Sequence, residues 1–134
     1  MHNFKYYKSG KIHLEEYLVN GIYHRLDGPA CIWHYEDGQI QKECYYINRD
    51  IHRLDGPAII WYYEDGKIKE EYYHLHNNYL YKLENYKPFS IEKLFEYIKE
   101  YPKYIKEIEL LARHNNWLDE EQLFLLNTIT TFSA

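Results

Sequence analysis

Two copies of a seven-residue motif hold the residues of this chain that are best suited to chemistry. The motif His-Arg-Leu-Asp-Gly-Pro-Ala occurs at 24–30 and again, 28 residues later, at 52–58. In each copy a histidine precedes an aspartate by three residues, as His24 precedes Asp27, so the pair has the residue types of a general base and the carboxylate that orients it. The arginine after each histidine has the planar geometry that binds carboxylates and phosphates.

A structural role is the stronger interpretation of these motifs. A repeated constellation without a distinctive nucleophile is more typical of a scaffold than of an active site. Arg25 and Arg53 can each form a forked pair with a glutamate of an adjacent strand, while the motif aspartates cap the turn. We therefore expect no catalytic residue, no cofactor and no metal site, because the histidines follow no zinc-binding spacing. Most histidines are expected to be exposed or at sheet edges: His2, His13, His34, His74, His76 and His114.

The spacing of 28 residues extends beyond the motif, which makes much of the chain a tandem repeat. Residues of the same type recur at this shift: Gly10, Gly38 and Gly66; Glu15, Glu43 and Glu71; Tyr17, Tyr45 and Tyr73. Within each unit, an aromatic and β-branched run such as 31–35 or 59–63 meets Glu-Asp-Gly, and a second run follows. This pattern is typical of β-hairpins. Each unit is therefore predicted to be one hairpin followed by a Gly-Pro corner.

An isolated hairpin is marginal in water, so neighbouring units must stack to bury their apolar faces. We expect an α+β protein with two parts. Residues 1–85 form a short antiparallel array of β-hairpins, a solenoid in which a partial copy precedes two motif-containing copies. Residues 86–134 form a C-terminal helical segment of two to three helices, which either caps the array or binds a partner.

The register of the first full hairpin determines where the only two cysteines, Cys31 and Cys44, lie. A two-residue turn at 37–38 places them directly opposite each other. A three-residue turn at 36–38, with its glycine as a bulge, pairs Cys31 with Glu43 instead and places Cys44 on the other face.

The second register is preferred because it places the aromatic residues that recur in both units on one face. Trp33 and Tyr45 then share a face, as do their counterparts Trp61 and Tyr73. This register predicts two free, buried thiols. A disulfide is not a general device of the repeat, and a cytosolic compartment would keep the thiols reduced.

Helical spacing replaces the repeat after Leu80. Ser90 suits the N-cap of a first helix that ends near Glu100, with Phe89 and Leu94 as its hydrophobic staple. A second helix is expected to begin with Pro102 in its first turn and to end at the polar run 114–116, unless both helices form one helix kinked at Pro102.

A third helix is predicted from Asp119, whose side chain suits an N-cap and forms a capping-box pattern with Gln122. Leu118 can pack against Leu123 as a staple. The stretch 123–129 is apolar nearly all round, so it should be buried on more than one side. It either covers the last hairpin or contacts a partner, a second copy of the chain included.

The composition indicates a single small module rather than a nucleic-acid-binding or membrane protein. The chain has 134 residues, 17 tyrosines and a formal net charge of −5, with a pI near 5.9. Backbone phosphates require clustered basic residues, which are absent from the sequence. No signal peptide or long apolar segment is evident, so we expect a cytoplasmic protein that binds neither nucleic acid nor membrane.

The units resemble MORN-type repeats, especially the variant in YwqK-like antitoxin proteins. The shared features are a Trp-x-Tyr-x-x-Gly strand and turn, a Glu-x-Tyr strand and an Asn-Gly turn. The form His-Arg-x-Asp-Gly-Pro-Ala also resembles repeat proteins of giant DNA viruses and bacteriophages. The resemblance covers about residues 4–80, and Arg49 departs from it where the preceding unit has Gly21. It implies a scaffold of viral or phage origin, located in the host cytoplasm.

These observations together predict a non-enzymatic protein–protein interaction module or scaffold, with a protein partner and with the C-terminal helix as a homodimer surface. The candidate binding residues are the recurring aromatic and basic ones: Trp33, Tyr35, Trp61, Tyr63, His24, Arg25, His52 and Arg53. The alternative is a small-ligand or nucleotide-binding counter-defence protein that uses the repeated histidines and arginines around a cleft between units.

Overall fold

The computed structural model describes residues 1–83 and 91–133, which form two compact units. Of these residues, the first unit contains 1–53 and 57–83, and the second contains 54–56 and 91–133. The first is an antiparallel sheet and the second is helical. The predicted α+β class is confirmed.

The described residues of the first unit form ten strands. They are β1 (His2–Tyr6), β2 (Ile12–Val19), β3 (Ile22–Tyr23), β4 (Cys31–His34), β5 (Ile40–Cys44), β6 (Tyr46–Ile47), β7 (Asp50–Ile51), β8 (Ile59–Tyr62), β9 (Ile68–Leu75) and β10 (Asn78–Leu83). The main sheet has the order β1-β2-β4-β5-β8-β9-β10, with β3 paired to β2, while β6 and β7 form a separate two-stranded ribbon.

The hairpin of β4 and β5 begins with a three-residue turn, as one of the two sequence alternatives requires. Tyr35 donates its N–H to the carbonyl of Gln39 at 2.9 Å, and Gly38 has a φ of +94°, a conformation that glycine adopts at little cost. The register then changes, because Trp33 lies opposite Lys42 whereas His34 lies opposite Ile40. Gln41 is thus an extra residue in β5, and it forms a second bulge.

This second bulge overturns the preferred register. Cys31 lies directly opposite Cys44, and both thiols are free and buried. Trp33 packs against them on one face of the sheet, while Tyr45 follows Cys44 and points to the other face. The expectation that Trp33 and Tyr45 share a face is therefore wrong, since it treated the turn as the only irregularity between the two strands.

The bulge recurs at the spacing of the sequence repeat. The extra residues of β2, β5 and β9 are His13, Gln41 and Lys69. Hydrogen bonds recur as well, because Tyr7 donates its hydroxyl to the carbonyl of His34 at 2.6 Å and Tyr35 donates to that of Tyr62 at 2.7 Å. Equivalent residues of successive units therefore occupy equivalent positions in the sheet.

Two faces of the sheet can be distinguished by their residues. The cysteine face carries a buried cluster of Leu14, Cys31 and Cys44, against which four half-buried side chains pack: Tyr23, Trp33, Tyr46 and Ile59. The glutamate face carries residues that alternate with these along the strands, Glu15, Glu43 and Glu71 among them.

The helical unit contains α1 (Ile91–Glu100), a 3-10 turn (Pro102–Tyr104), α2 (Ile105–His114) and α3 (Glu120–Ser133). The two-helix alternative is the observed one, because the 3-10 turn at Pro102 separates α1 from α2. α2 packs against α1 and α3 through buried residues at helical spacing: Leu94, Ile98, Ile108, Leu111, Ala112 and Leu126. The predicted cap Ser90 and staple residue Phe89 lie outside the described residues.

Both ends of the link between α2 and α3 follow the sequence prediction. Asn116 has a φ of +53°, the left-handed conformation that commonly ends a helix. Gln122 donates its backbone N–H to Asp119 Oδ1 at 2.8 Å, and Asp119 donates its own N–H to Gln122 Oε1 at 3.0 Å. The predicted capping box is confirmed. Among the described residues, no helix combines the length and the apolar character needed to span a membrane.

Candidate functional site

The two motif histidines connect successive hairpins. His24 Nδ1 accepts the backbone N–H of Asn48 at 2.9 Å, and His52 Nδ1 accepts that of His76 at 3.0 Å. An Nδ1 that accepts a hydrogen bond leaves the proton on Nε2. In a general base that is oriented by a carboxylate, Nδ1 donates a hydrogen bond instead. The two motif histidines therefore have a structural role here, since each one supports the turn of the following unit.

The motif arginines lie on aromatic rings of the glutamate face. The guanidinium carbon is 3.8 Å from the ring centre of Tyr17 for Arg25, and 4.0 Å from that of Tyr45 for Arg53. Arg25 also donates from Nε to Asp27 Oδ1 at 3.0 Å, so its carboxylate partner is in its own motif. Arg25 donates from Nη1 to the backbone carbonyl of Pro29, and Arg53 donates from Nη1 to that of Pro57. These contacts fold the corner after each hairpin.

The glutamates of the same face bond to side chains of the neighbouring strand. His34 Nε2 donates to a carboxylate oxygen of Glu15 at 2.6 Å, and Tyr62 donates its hydroxyl to Glu43 in the equivalent position. Burial and the hydrogen bond to Glu43 raise the pKa of Tyr62. Burial also raises the pKa of Glu71, and the charge of Arg53 opposes that shift.

The predicted aromatic residues have different environments. Trp33 is half-buried on the cysteine cluster, and Tyr35 is held by its hydroxyl. Tyr63 is 51% exposed, with the Lys69 ammonium 5.8 Å from its ring centre. Trp61 lines a pocket in the cysteine face, and it is the only member of the predicted set that does so in the described part of the chain.

This pocket, which we call the aromatic pocket, has a volume of about 430 Å³. The described residues that line it belong to the sheet unit: Lys42, Ile59, Trp61, Tyr72, His74 and Tyr79. Its size lies within the range of roughly 300–1,000 Å³ that is common for small-ligand sites.

Aromatic rings and two polar groups define the chemistry of the aromatic pocket. The Lys42 ammonium lies 4.4 Å from the ring centre of Trp61. The ring of Tyr79 meets His74 edge-on, with centres 5.5 Å apart, and lies 6.2 Å from Tyr72. The pocket therefore offers flat apolar surfaces beside one positive charge.

His74 is the least expected member of the set. The sequence placed it among exposed or edge histidines, yet only 8% of it is exposed. Its Nδ1 is buried, and the described residues provide no hydrogen-bond partner for it. Burial lowers the pKa of His74 and outweighs an interaction with the Tyr72 backbone that raises it, so the neutral form is favoured. A buried polar atom without a partner is uncommon, and it often marks a place where a ligand or water binds.

The aromatic pocket occupies the place that the cysteine cluster occupies one unit earlier. A shift of 28 residues relates Leu14 to Lys42 and Tyr46 to His74. It also relates the remaining pairs: Cys31 to Ile59, Trp33 to Trp61 and Cys44 to Tyr72. Leu14 is 2% exposed and closes the earlier position with a compact apolar side chain, whereas lysine stands at that point in the later unit.

Sequence reasoning missed every member of the aromatic pocket except Trp61. It searched for chemistry in the residues that the two units share, and the aromatic pocket lies where the units differ. An alignment of the two units identifies Lys42 and His74 directly, because the earlier unit has Leu14 and Tyr46 at these positions. Comparison with models of known protein families, with curated proteins and with solved structures finds no match for this chain.

Proposed function

We propose that this chain is a non-enzymatic binding module that contacts a partner protein through the cysteine face of its sheet. The observation that carries the proposal is the aromatic pocket, a preformed concavity on a hydrogen-bonded scaffold. Aromatic side chains, with arginine, contribute most of the energy of protein interfaces, because a large flat ring buries much surface at low entropic cost.

The exposure of the aromatic pocket's rim supports contact with a large partner. Tyr79 is 52% exposed, although its ring packs on two neighbours and is therefore held in place. A partner that covers this ring gains its apolar surface without having to order it.

The recurring bulges and hydrogen bonds support the interpretation of the sheet as a scaffold of MORN-like hairpin repeats. In a scaffold of this kind each unit contacts mainly its neighbours, and the units can diverge in surface residues while keeping their framework. The resemblance to viral and phage repeat proteins extends the proposal to a protein that acts in the host cytoplasm.

A pair of variants with matched exposure tests the proposal. Tyr79→Ser removes the rim of the aromatic pocket, and Tyr63→Ser removes a tyrosine of nearly equal exposure outside it. We expect a partner captured by the wild-type chain, once purified, to bind the Tyr79 variant about tenfold or more weakly and the Tyr63 variant unchanged. Equal binding to the wild type and the Tyr79 variant would refute the proposal.

A further inference from the structure

We propose that the aromatic pocket is a binding site for a planar aromatic ring that carries a carboxylate. The inference rests on the proposed function, because it names the chemical group that the pocket takes from its ligand. The group can belong to a free aromatic acid or to a partner protein, for example an aromatic residue with a free C-terminal carboxylate.

The two units fill this position with different kinds of side chain. At the earlier position Leu14, Cys31 and Cys44 fill the space, and each is at most 5% exposed. In the later unit Lys42 replaces Leu14 and His74 replaces Tyr46. Replacing buried apolar groups by polar ones weakens a core unless the polar groups gain partners. A ligand would provide such partners.

The shape and lining of the aromatic pocket fit a planar ring. Trp61, Tyr72 and Tyr79 line it with aromatic rings, and Ile59 lines it with an aliphatic side chain. Aromatic pairs favour offset-stacked or edge-to-face packing at ring separations of roughly 4.5–7 Å. A planar aromatic ring can adopt such packing with several of these side chains at once, whereas a bulky aliphatic group cannot.

The charged groups in and beside the aromatic pocket favour a carboxylate. Among the described residues that line the pocket, Lys42 is the only cation, and it repels a cationic ligand. His74 belongs to the same lining, and its buried Nδ1 lacks a hydrogen-bond partner among the described residues. Glu70 lies opposite Trp61 on the neighbouring strand and adds a negative charge beyond the ring. The Lys42 ammonium attracts an anionic group, and Glu70 repels a doubly charged phosphate more strongly than a singly charged carboxylate.

Three small probes separate the contributions of ring and charge. Phenylacetate has both features, phenylacetamide lacks the charge, and cyclohexylacetate lacks the aromatic ring. We expect phenylacetate to bind about tenfold or more tightly than either of the others, as followed by proton–nitrogen NMR of the Trp61 indole N–H. Equal affinity for phenylacetate and phenylacetamide would overturn the inference.

The variant Lys42→Met provides a sharper test, because it removes the ammonium but keeps an unbranched side chain of nearly the same length, so it changes the charge of the aromatic pocket without filling it as leucine would. It should weaken phenylacetate binding about tenfold and leave phenylacetamide binding unchanged, a split that a purely structural lysine would not produce. Tyr63→Ser is the control, with unchanged affinity for both probes. Loss of both probes in Lys42→Met would count against the assigned role.

The source of the group is distinguished with two pentapeptides that end in phenylalanine, one with a free carboxylate and one with an amide. Tighter binding of the free-carboxylate peptide than of phenylacetate assigns the group to a protein partner, and the reverse order assigns it to a free acid. If no carboxylate probe binds at about 10 mM while Tyr79→Ser still abolishes partner binding, the ligand chemistry is wrong and the proposed function stands.

Discussion

Cys31 and Cys44 lie directly opposite each other across the β4–β5 pair, with 5% and 4% of their surfaces exposed. The hydrogen bond between them, together with burial, raises the pKa of Cys44, and the same hydrogen bond lowers the pKa of Cys31. The two cysteines are therefore chemically unequal although their exposures match.

This inequality predicts the order in which the thiols react. The thiolate is the nucleophile, so iodoacetamide at pH 8 should modify Cys31 before Cys44 in the folded protein. Both should react at similar rates in urea, where burial and the mutual hydrogen bond are lost. Mass spectrometry of the two peptides over time measures the order, and earlier modification of Cys44 would show that the hydrogen bond has the opposite direction.

The same pair shows how far sequence reasoning reached. Gly38 identified the turn, because a glycine after Glu-Asp has the freedom that a bulged turn requires. Gln41 has no such signature. A bulge in mid-strand depends on contacts with both neighbouring strands, which no local pattern contains. This shift of one residue exchanged the faces of the β5 residues after Gln41, and of Tyr45 with them.

The candidate site was found in part for a related reason. Trp61 was predicted because aromatic residues in a strand are visible in the sequence. Lys42 and His74 were not, since a lysine or histidine in a strand is usually solvated or at an edge. Only the folded sheet shows that Lys42 and His74 line one pocket beside Trp61. It also shows that an apolar cluster fills the equivalent position one unit earlier.

The pairs Tyr62–Glu43 and Tyr23–Glu16 predict a loss of stability at high pH. Burial first, and then the hydrogen bond to glutamate, raises the pKa of each tyrosine above its unfolded value of about 10. The folded state thus holds these protons more tightly. The stability that each pair contributes is complete below about pH 10 and is lost as the pH rises through the folded pKa.

Unfolding by urea between about pH 8 and pH 11 measures this loss. The double variant Tyr23→Phe, Tyr62→Phe should be less stable than the wild type by about 1 kcal/mol per pair at neutral pH, and its stability should fall less at high pH. Tyr63→Phe is the control, because Tyr63 is 51% exposed and should change neither value. Parallel pH profiles for all three proteins would contradict the assignment.

The hydrogen bond from His76 N–H to His52 Nδ1 predicts an unequal dependence on the two motif histidines. His52→Ala should cost about 1–3 kcal/mol, since it leaves a partly buried N–H without an acceptor. His24→Ala should cost less, because the Asn48 N–H is exposed to water. His52→Asn should recover much of the loss, as its amide oxygen can replace Nδ1. If His52→Asn is no more stable than His52→Ala, the packing of the His52 ring, and not its hydrogen-bond acceptor, stabilises the fold.

The nucleotide-binding alternative makes its own prediction at Arg25 and Arg53. Each guanidinium already lies on a tyrosine ring and donates to a backbone carbonyl, so a phosphate would have to displace these contacts. We expect nucleotides to leave the melting temperature unchanged. A ligand at about 100 times its Kd would add roughly 2.7 kcal/mol, which corresponds to a rise of several degrees. Such a rise, absent from an Arg25→Lys, Arg53→Lys variant, would support the alternative instead.

Helix α3 presents apolar residues on more than one side. Leu126 is fully buried, whereas Phe124 is 70% exposed and Leu125 is 47% exposed. Single exposed leucines are ordinary, but a phenylalanine with this exposure beside a leucine on a capped helix is typical of a contact surface. We therefore predict that, if the C-terminal helix forms the homodimer surface expected from the sequence, this surface includes Phe124.

Light scattering with size-exclusion chromatography over a concentration series tests this placement. We expect the full-length chain to dimerise as its concentration rises and Phe124→Glu to remain monomeric, because a buried unpaired carboxylate opposes association. Leu110→Glu is the control, since Leu110 is 41% exposed on α2 and lies outside the proposed surface. Deleting the residues after Asn116 should cause aggregation or loss of the dimer. A wild-type chain that stays monomeric at every concentration would leave α3 with a role inside its own helical unit, where Leu126 is buried.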